Sequence, residues 1–201
     1  RKESSAASDV YKRQGQVGRT AVHALDGHEI IAASRSSEPS VDVTDPASVE
    51  RLFATVGQVD AVIVAVGEVP FRPLDGLTRG DYESAFRGKV LSQLDVVRIG
   101  TSFVRDRGSF TLTSGILARE PIAAGAAASF ANGAVESFVL AAATELPRGI
   151  RINAVSPSVL EDAPSYHSSF PGFVPVSSHR VGQAYAKSVL GVQTGQVFPV
   201  D

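Results

Sequence analysis

Hydrophobic positions along this chain alternate between two regimes, one spaced as on a helical face and one nearly continuous over strand length. Val17, Ala21, Val22 and Leu25 share one helical face, and Gly27 offers a left-handed stop. Glu29-Ile-Ile-Ala-Ala33 and the brief Val41-Asp-Val43 follow as strand-length runs. Asp45-Pro46 then reads as an N-cap with proline at the first helical position, leading into Val49, Leu52, Phe53 and Val56 at i, i+3, i+4, i+7. Ala61–Val66 is greasy on both faces, as a parallel strand covered by helices on each side would be. A proline-bearing loop over 69–77 precedes a long helix over 78–99. Further on, the pattern predicts a strand over 109–113, an alanine-rich helix over 126–146 and a strand over 150–155. A Ser/Pro-rich loop over 158–180, a helix over 181–190 and a closing strand over 196–200 complete it. Strand–helix alternation of this kind predicts right-handed crossovers in a doubly wound parallel sheet, a Rossmann-type three-layer α/β sandwich. No internal repeat or linker divides the pattern, so one domain over 15–201 is expected.

Length and composition agree with that reading. The 201 residues suit one full core and are too few for two comfortable ones. A net charge of −2 gives no electrostatic reason to expect nucleic acid or an anionic membrane as partner. The absence of cysteine excludes disulfides and thiolate chemistry, and the four histidines show no metal-ligand spacing, so no metal is expected. No apolar run approaches the roughly 18 residues of a bilayer span, which points to a soluble, cytoplasmic protein. Residues 1–14 break the pattern: they are polar and aperiodic, in a chain that has no methionine. They read either as foreign sequence joined to a truncated gene or as a disordered tail. On the first alternative the native first strand is missing or replaced.

Sheets of this class bind ligands beyond the carboxyl ends of their strands. Gly15-Gln16-Val17-Gly18 opens the first helix, where glycine admits a pyrophosphate to free N–H groups. Ser34-Arg35-Ser36 follows the second predicted strand, where an adenosine ribose would lie. Arginine there complements a 2′-phosphate, so NADP(H) is expected over NAD(H); a solvated surface arginine is the alternative.

At Thr111-Leu-Thr-Ser-Gly115, Ala143-Thr-Glu-Leu146 and above all Arg148-Gly-Ile-Arg-Ile-Asn-Ala-Val-Ser-Pro157, the chain resembles the second half of a short-chain dehydrogenase/reductase. Gly15–Val22 resembles the end of that family's glycine-rich loop, whose first glycine would fall at Lys12. Val41-Asp-Val-Thr-Asp45 resembles its third-strand aspartate motif, and Thr194-Gly-Gln-Val197 its closing strand. The resemblance implies cofactor contacts at Asp42, Val43, Ala65, Val66, Gly67, Ser156 and Pro157. Val64-Ala-Val-Gly67 stands where the family has asparagines, and only its glycine is kept.

The family's reaction relies on a tyrosine, a lysine four residues later, a serine and an asparagine. The serine matches Ser114, whose other reading is a serine capping its turn. The tyrosine position falls near Ala128, the lysine position on Asn132 and the asparagine position near Lys89. Alanine has no proton to give, so the chain resembles a compact subgroup without the Tyr-x-x-x-Lys pair. Asn132 could still bond a nicotinamide ribose, and Lys89, Tyr166 or His167 are the candidates to replace the lost acid. Two functions follow: an NADP(H)-dependent oxidoreductase acting on a small carbonyl or alcohol, or a non-catalytic NADP(H)-binding sensor or partner subunit. Similar proteins pair through the helices at 78–99 and 126–146, so a homodimer or tetramer is expected.

Overall fold

The computed structural model describes residues 15–201. The expectations placed on residues 1–14, including the glycine position at Lys12, lie outside the described residues. The elements in chain order are α1 (Gln16–Ala24), α2 (Pro46–Val56), β1 (Val59–Ile63), α3 (Arg79–Ala85), a π-helical segment (Phe86–Leu91) and α4 (Ser92–Gly100). After these come β2 (Val104–Thr113), α5 (Ala126–Glu145), β3 (Arg151–Pro157), a short α6 (Pro164–His167), α7 (Ser178–Leu190) and β4 (Gln196–Val200). The strands form one parallel sheet in the order β1-β2-β3-β4. This is an α/β Rossmann-like fold in a single domain.

Successive side chains of a strand point to opposite faces, and β2 and β3 show it. Phe110, Leu112, Ile152 and Ala154 enter one core with Val135 and Val139 of α5, Val96 and Val97 of α4 and Phe53 of α2. Val155 instead joins Val181 and Tyr185 of α7 and Ala21 of α1 in a second core. The three-layer sandwich is therefore real, with helices on both faces.

Several boundaries depart from the hydrophobic pattern. Among the described residues, those at 29–33 and 41–43 form no strand, and the backbone between them makes an isolated parallel bridge from Ser34 to Ser40. Apolar runs become strands only when a neighbour pairs with them, and Ile30 and Ile31 stay 39% and 47% exposed. The run at 61–66 pairs as β1 only over Val59–Ile63, while β2 begins five residues before the predicted strand. The helix expected over 78–99 is split by the π-helical segment, and the loop over 158–180 holds α6.

Local chemistry sets the helix ends. The Asp45 carboxylate accepts from Ala47 N at 3.0 Å with Pro46 beside it, and Thr78 and Asp81 form a reciprocal capping box on α3. Helix α5 is apolar enough over 18 residues to cross a membrane by composition alone, contrary to the reading of the sequence. Its hydrophobicity is instead spent on the sheet, with Val135 and Val139 fully buried.

The RGIRINAVSP stretch serves the architecture. Arg151 donates to the carbonyls of Ser188 and Val189 at 2.8 and 2.7 Å, satisfying the last turn of α7. Asn153 donates to Gln193 O at 2.9 Å and accepts from Gln196 N at 3.0 Å, so one side chain sets the register of β3 against β4.

Candidate functional site

The carboxyl ends of β1, β2 and β3 open onto two adjoining regions. The first surrounds the start of α1. Among the described residues no side chain caps this helix, and a Cβ on its N-cap Gly15 would meet nothing within 4 Å. A Cβ on Gly18 would meet Ala65 Cβ at 3.8 Å, which is how closely α1 passes the segment after β1. A helix N-terminus that no described side chain caps fits an anionic group such as a pyrophosphate. Val17 packs against the α7-side core, while Val43 and Val66 pack against the other core, so these three contribute walls rather than polar contacts. Ser34, Arg35 and Ser36 stand exposed in a tight serine-bonded turn, where Ser37 Oγ accepts from Ser34 N at 2.6 Å. Asp42 accepts from Thr44 N and Thr44 Oγ1 at 2.9 and 2.7 Å. Those bonds, helped by the nearby Arg35 charge, hold its carboxyl below the usual range. Arg35 and Asp42 are thus neighbours.

The second region is a cavity of about 160 Å³ lined by Val69, Phe71, Lys89, Ser114–Leu117, Ala128, Asn132, Pro157–Val159 and Phe170. Lys89 enters it from the π-helical segment, a local widening of the helix that often accompanies functional sites. Gly67 makes room: its φ is +150°, and a Cβ would sit 2.7 Å from Lys89 Cγ. Lys89 Nζ donates to Ser114 O at 3.0 Å. Burial of the ammonium pulls its pKa down to about 8, and Glu136 pulls it partly back. A lysine titrating there can exchange a proton near neutral pH.

Ser114, 3% exposed, directly follows β2, with its amide bonded to Val155 O at 3.0 Å. Its hydroxyl donates to Glu136 Oε1 at 2.6 Å. The same oxygen accepts from Ser156 Oγ at 3.0 Å and from Arg119 Nη1 at 3.4 Å, and Arg119 also donates to Ser156 Oγ at 2.8 Å. Two buried polar atoms on the cavity's lining residues lack a partner among the described residues: Asn132 Oδ1 and Ser158 Oγ. An orphaned acceptor is costly unless something binds it, and a ribose hydroxyl is a chemically suitable donor for Asn132.

The fold therefore brings Ser114, Lys89 and Asn132 to one cavity, with Pro157 at its wall and Ser156 behind it. Tyr166 is not among the lining residues and is 42% exposed, and His167 Nε2 bonds Leu160 O at 2.8 Å. Reading the sequence missed Glu136, Arg119 and Ser158. Glu136 carried one usable signal: with Ala128 and Asn132 it makes an i, i+4, i+8 series along an otherwise apolar helix face. Among the described residues no cluster of His, Asp or Glu could hold a metal.

Known proteins agree with this architecture. Residues 8–192 match the family model described as enoyl-(acyl carrier protein) reductase. The protein lin1944 from Listeria innocua superposes with a TM-score of 0.90 at 41% identity, over 92% of this chain and 94% of that one. A small-chain dehydrogenase in complex with NADPH superposes with a TM-score of 0.81 at 26% identity, over 92% and 91%. Hydroxynaphthalene reductase arp2 from Aspergillus fumigatus is 24% identical over 156 residues, 77% of this chain and 53% of that protein. The chain thus spans about half the length of the curated relatives it matches. With the family model covering nearly the whole chain, and the fold and strand-end cavity in agreement, the chain belongs to the short-chain dehydrogenase/reductase family.

Proposed function

We propose that this protein is an NADP(H)-dependent oxidoreductase that interconverts a small carbonyl and its alcohol, with Lys89 in place of the family's tyrosine as the proton-transfer group. The observation that carries the reading is the Lys89 ammonium, pulled down to about 8 and held beside Ser114 in a cavity also lined by Ala128, near which the resemblance puts the family's tyrosine. A bound reduced nicotinamide supplies the hydride. As the carbonyl carbon accepts it, the C=O π pair moves onto oxygen, Lys89 Nζ gives that oxygen a proton, and the amine regains one from solvent. Ser114 orients the alcohol by accepting its hydrogen, and Asn132 Oδ1 receives a ribose hydroxyl. Gly15, Gln16 and Gly18 hold the pyrophosphate against walls from Val17, Val43, Ala65, Val66 and Gly67. Arg35, flanked by Ser34 and Ser36, meets the 2′-phosphate beside Asp42. Ser156 and Pro157 close the nicotinamide end.

Support for NADP(H) comes from Arg35 and from the NADPH-bound relative. Association is part of the same reading: Phe130 and Leu140 of α5 are 44% and 58% exposed, and Phe86 and Leu91 lie on the neighbouring helical segment at 39% and 37%. Those surfaces suit a homodimer or tetramer through α3–α4 and α5. The decisive test is NADPH binding followed by fluorescence, then turnover against a panel of small aldehydes and ketones. Turnover lost in Lys89→Gln with NADPH affinity kept supports the proposal; turnover unchanged in that variant sinks it. Ala128 favours one second reading, a dinucleotide-binding sensor or partner subunit, whose signature is tight NADPH binding with no turnover.

A further inference from the structure

The hydrogen of the Ser114 hydroxyl is already committed. It points along a 2.6 Å bond to Glu136 Oε1, an oxygen that also receives Ser156 Oγ and Arg119 Nη1. A hydroxyl has one hydrogen, so a serine that gives it to a carboxylate has only lone pairs left for anything in the cavity. Such a serine cannot polarise a carbonyl oxygen, which also offers only lone pairs. It can accept from an alcohol. Lys89, by contrast, has three hydrogens and no lone pair when charged, and spends one on Ser114 O.

Resting on the oxidoreductase reading for its catalytic meaning, we infer that Glu136 is a positioning residue of the site: it fixes the Ser114 hydroxyl as an acceptor toward the cavity, so that Lys89, not Ser114, donates to the substrate oxygen. Glu136 acts through both neighbours, by a short hydrogen bond on Ser114 and by its charge on Lys89. Arg119 pairs with the carboxylate, and two serine hydroxyls donate toward it. The arrangement divides labour by the state of the substrate. A bound carbonyl receives Lys89; the alcohol, once it carries its proton, donates to Ser114 Oγ.

The charged groups around Lys89 come from each neighbouring element. Glu136 approaches from α5 and raises its pKa. Arg119, from the turn after β2, pairs with Glu136 and with Asp201 at the chain's end. Glu68, exposed after β1, brings its backbone carbonyl against Gly88 of the π-helical segment, where Arg87 is also exposed. Glu136 is the group whose removal bears on Lys89 most directly.

The chain has four lysines, Lys2, Lys12, Lys89 and Lys187, so selective carbon-13 lysine labelling of the full protein gives a readable titration, with Lys89 assigned by its loss in Lys89→Arg. In Glu136→Gln the Lys89 midpoint should fall by about one pH unit while Lys187 does not move, and Glu136→Asp should restore part of it. An unmoved Lys89 midpoint in Glu136→Gln overturns the proposal. If that variant does not fold, Ser156→Ala takes its place: stripped of one donor, the carboxylate leans more on Lys89, so the midpoint should rise, and no change overturns the proposal equally. In turnover, the pH at which carbonyl reduction declines should move with the Lys89 midpoint, whereas loss of mere structural support lowers the rate alike at every pH. Because the titration needs no turnover, an inactive wild-type protein would sink the oxidoreductase reading and leave the Glu136 test standing.

Discussion

At the scale of single residues, the site depends on how far burial can detune a lysine without disarming it. Lys89 has its ammonium withdrawn from water and its pKa down to about 8, while Glu136 limits the fall. The sign of the resulting pH dependence is fixed. Below about pH 8 the group holds its proton and can serve as acid, so carbonyl reduction should be sustained there and decline as pH rises through that value. Alcohol oxidation, which needs the neutral amine, should show the opposite trend. Initial rates in both directions across pH 6–10 check this. Lys89→Gln should lower kcat for reduction by about 10²–10⁴-fold, the usual worth of a positioned acid, with little change in NADPH affinity. Gly67 offers a second test. A Cβ there would lie 2.7 Å from Lys89 Cγ on a backbone at φ +150°, so Gly67→Ala should cost about 1–3 kcal/mol in denaturant unfolding and displace Lys89 as well.

At the scale of elements, polar side chains on the sheet fix how layers meet. Gln93 of α4 donates to Thr113 O and accepts from Thr113 N at 2.9 and 2.8 Å, and Thr113 Oγ1 meets Tyr185 Oη of α7 at 2.6 Å. This spans both faces at the end of β2, just before Ser114. Tyr185→Phe should therefore destabilise by about 1 kcal/mol, since Thr113 Oγ1 keeps its bond to Val64 O. Asn153→Ala should cost more, about 2–3 kcal/mol, because Gln196 N loses its acceptor inside the sheet; thermal unfolding ranks the two. These elements also show what periodicity can and cannot carry. The i, i+3, i+4, i+7 series and the Asp45-Pro46 cap place α2 correctly, because both are local. Ile30 and Ile31 read as strand yet form none, because pairing depends on a neighbour that a local pattern does not contain. The π-helical segment carrying Lys89 leaves no trace in a helical repeat.

At the scale of the whole molecule, the proposed function rests on two exposed surfaces. If Arg35 meets a 2′-phosphate, Arg35→Ala should weaken NADPH by about tenfold, the worth of one charge-assisted contact of about 1.5 kcal/mol, and leave NADH little changed; parallel fluorescence titrations decide it. If α5 forms the oligomer interface, Phe130→Glu should drive the protein toward monomer in sedimentation velocity, because a desolvated carboxylate at an apolar contact lacks a partner.

The alternation of apolar runs, the helix caps and the RGIRINAVSP stretch were enough to determine a parallel α/β sandwich, since each reports burial or backbone satisfaction within a few residues. Ser114 and Asn132 were singled out through the resemblance to the family, and both line the cavity. The partnership of Lys89, Ser114 and Glu136 was decided only by tertiary structure. Lys89 and Ser114 are 25 residues apart, Ser114 and Glu136 are 22 apart, and their meeting depends on a helix widened at Phe86–Leu91 and on the packing of α5 against β2 and β3. Hydrophobic pattern records which side of an element is buried, but not which polar atoms from separate elements come within bonding distance there.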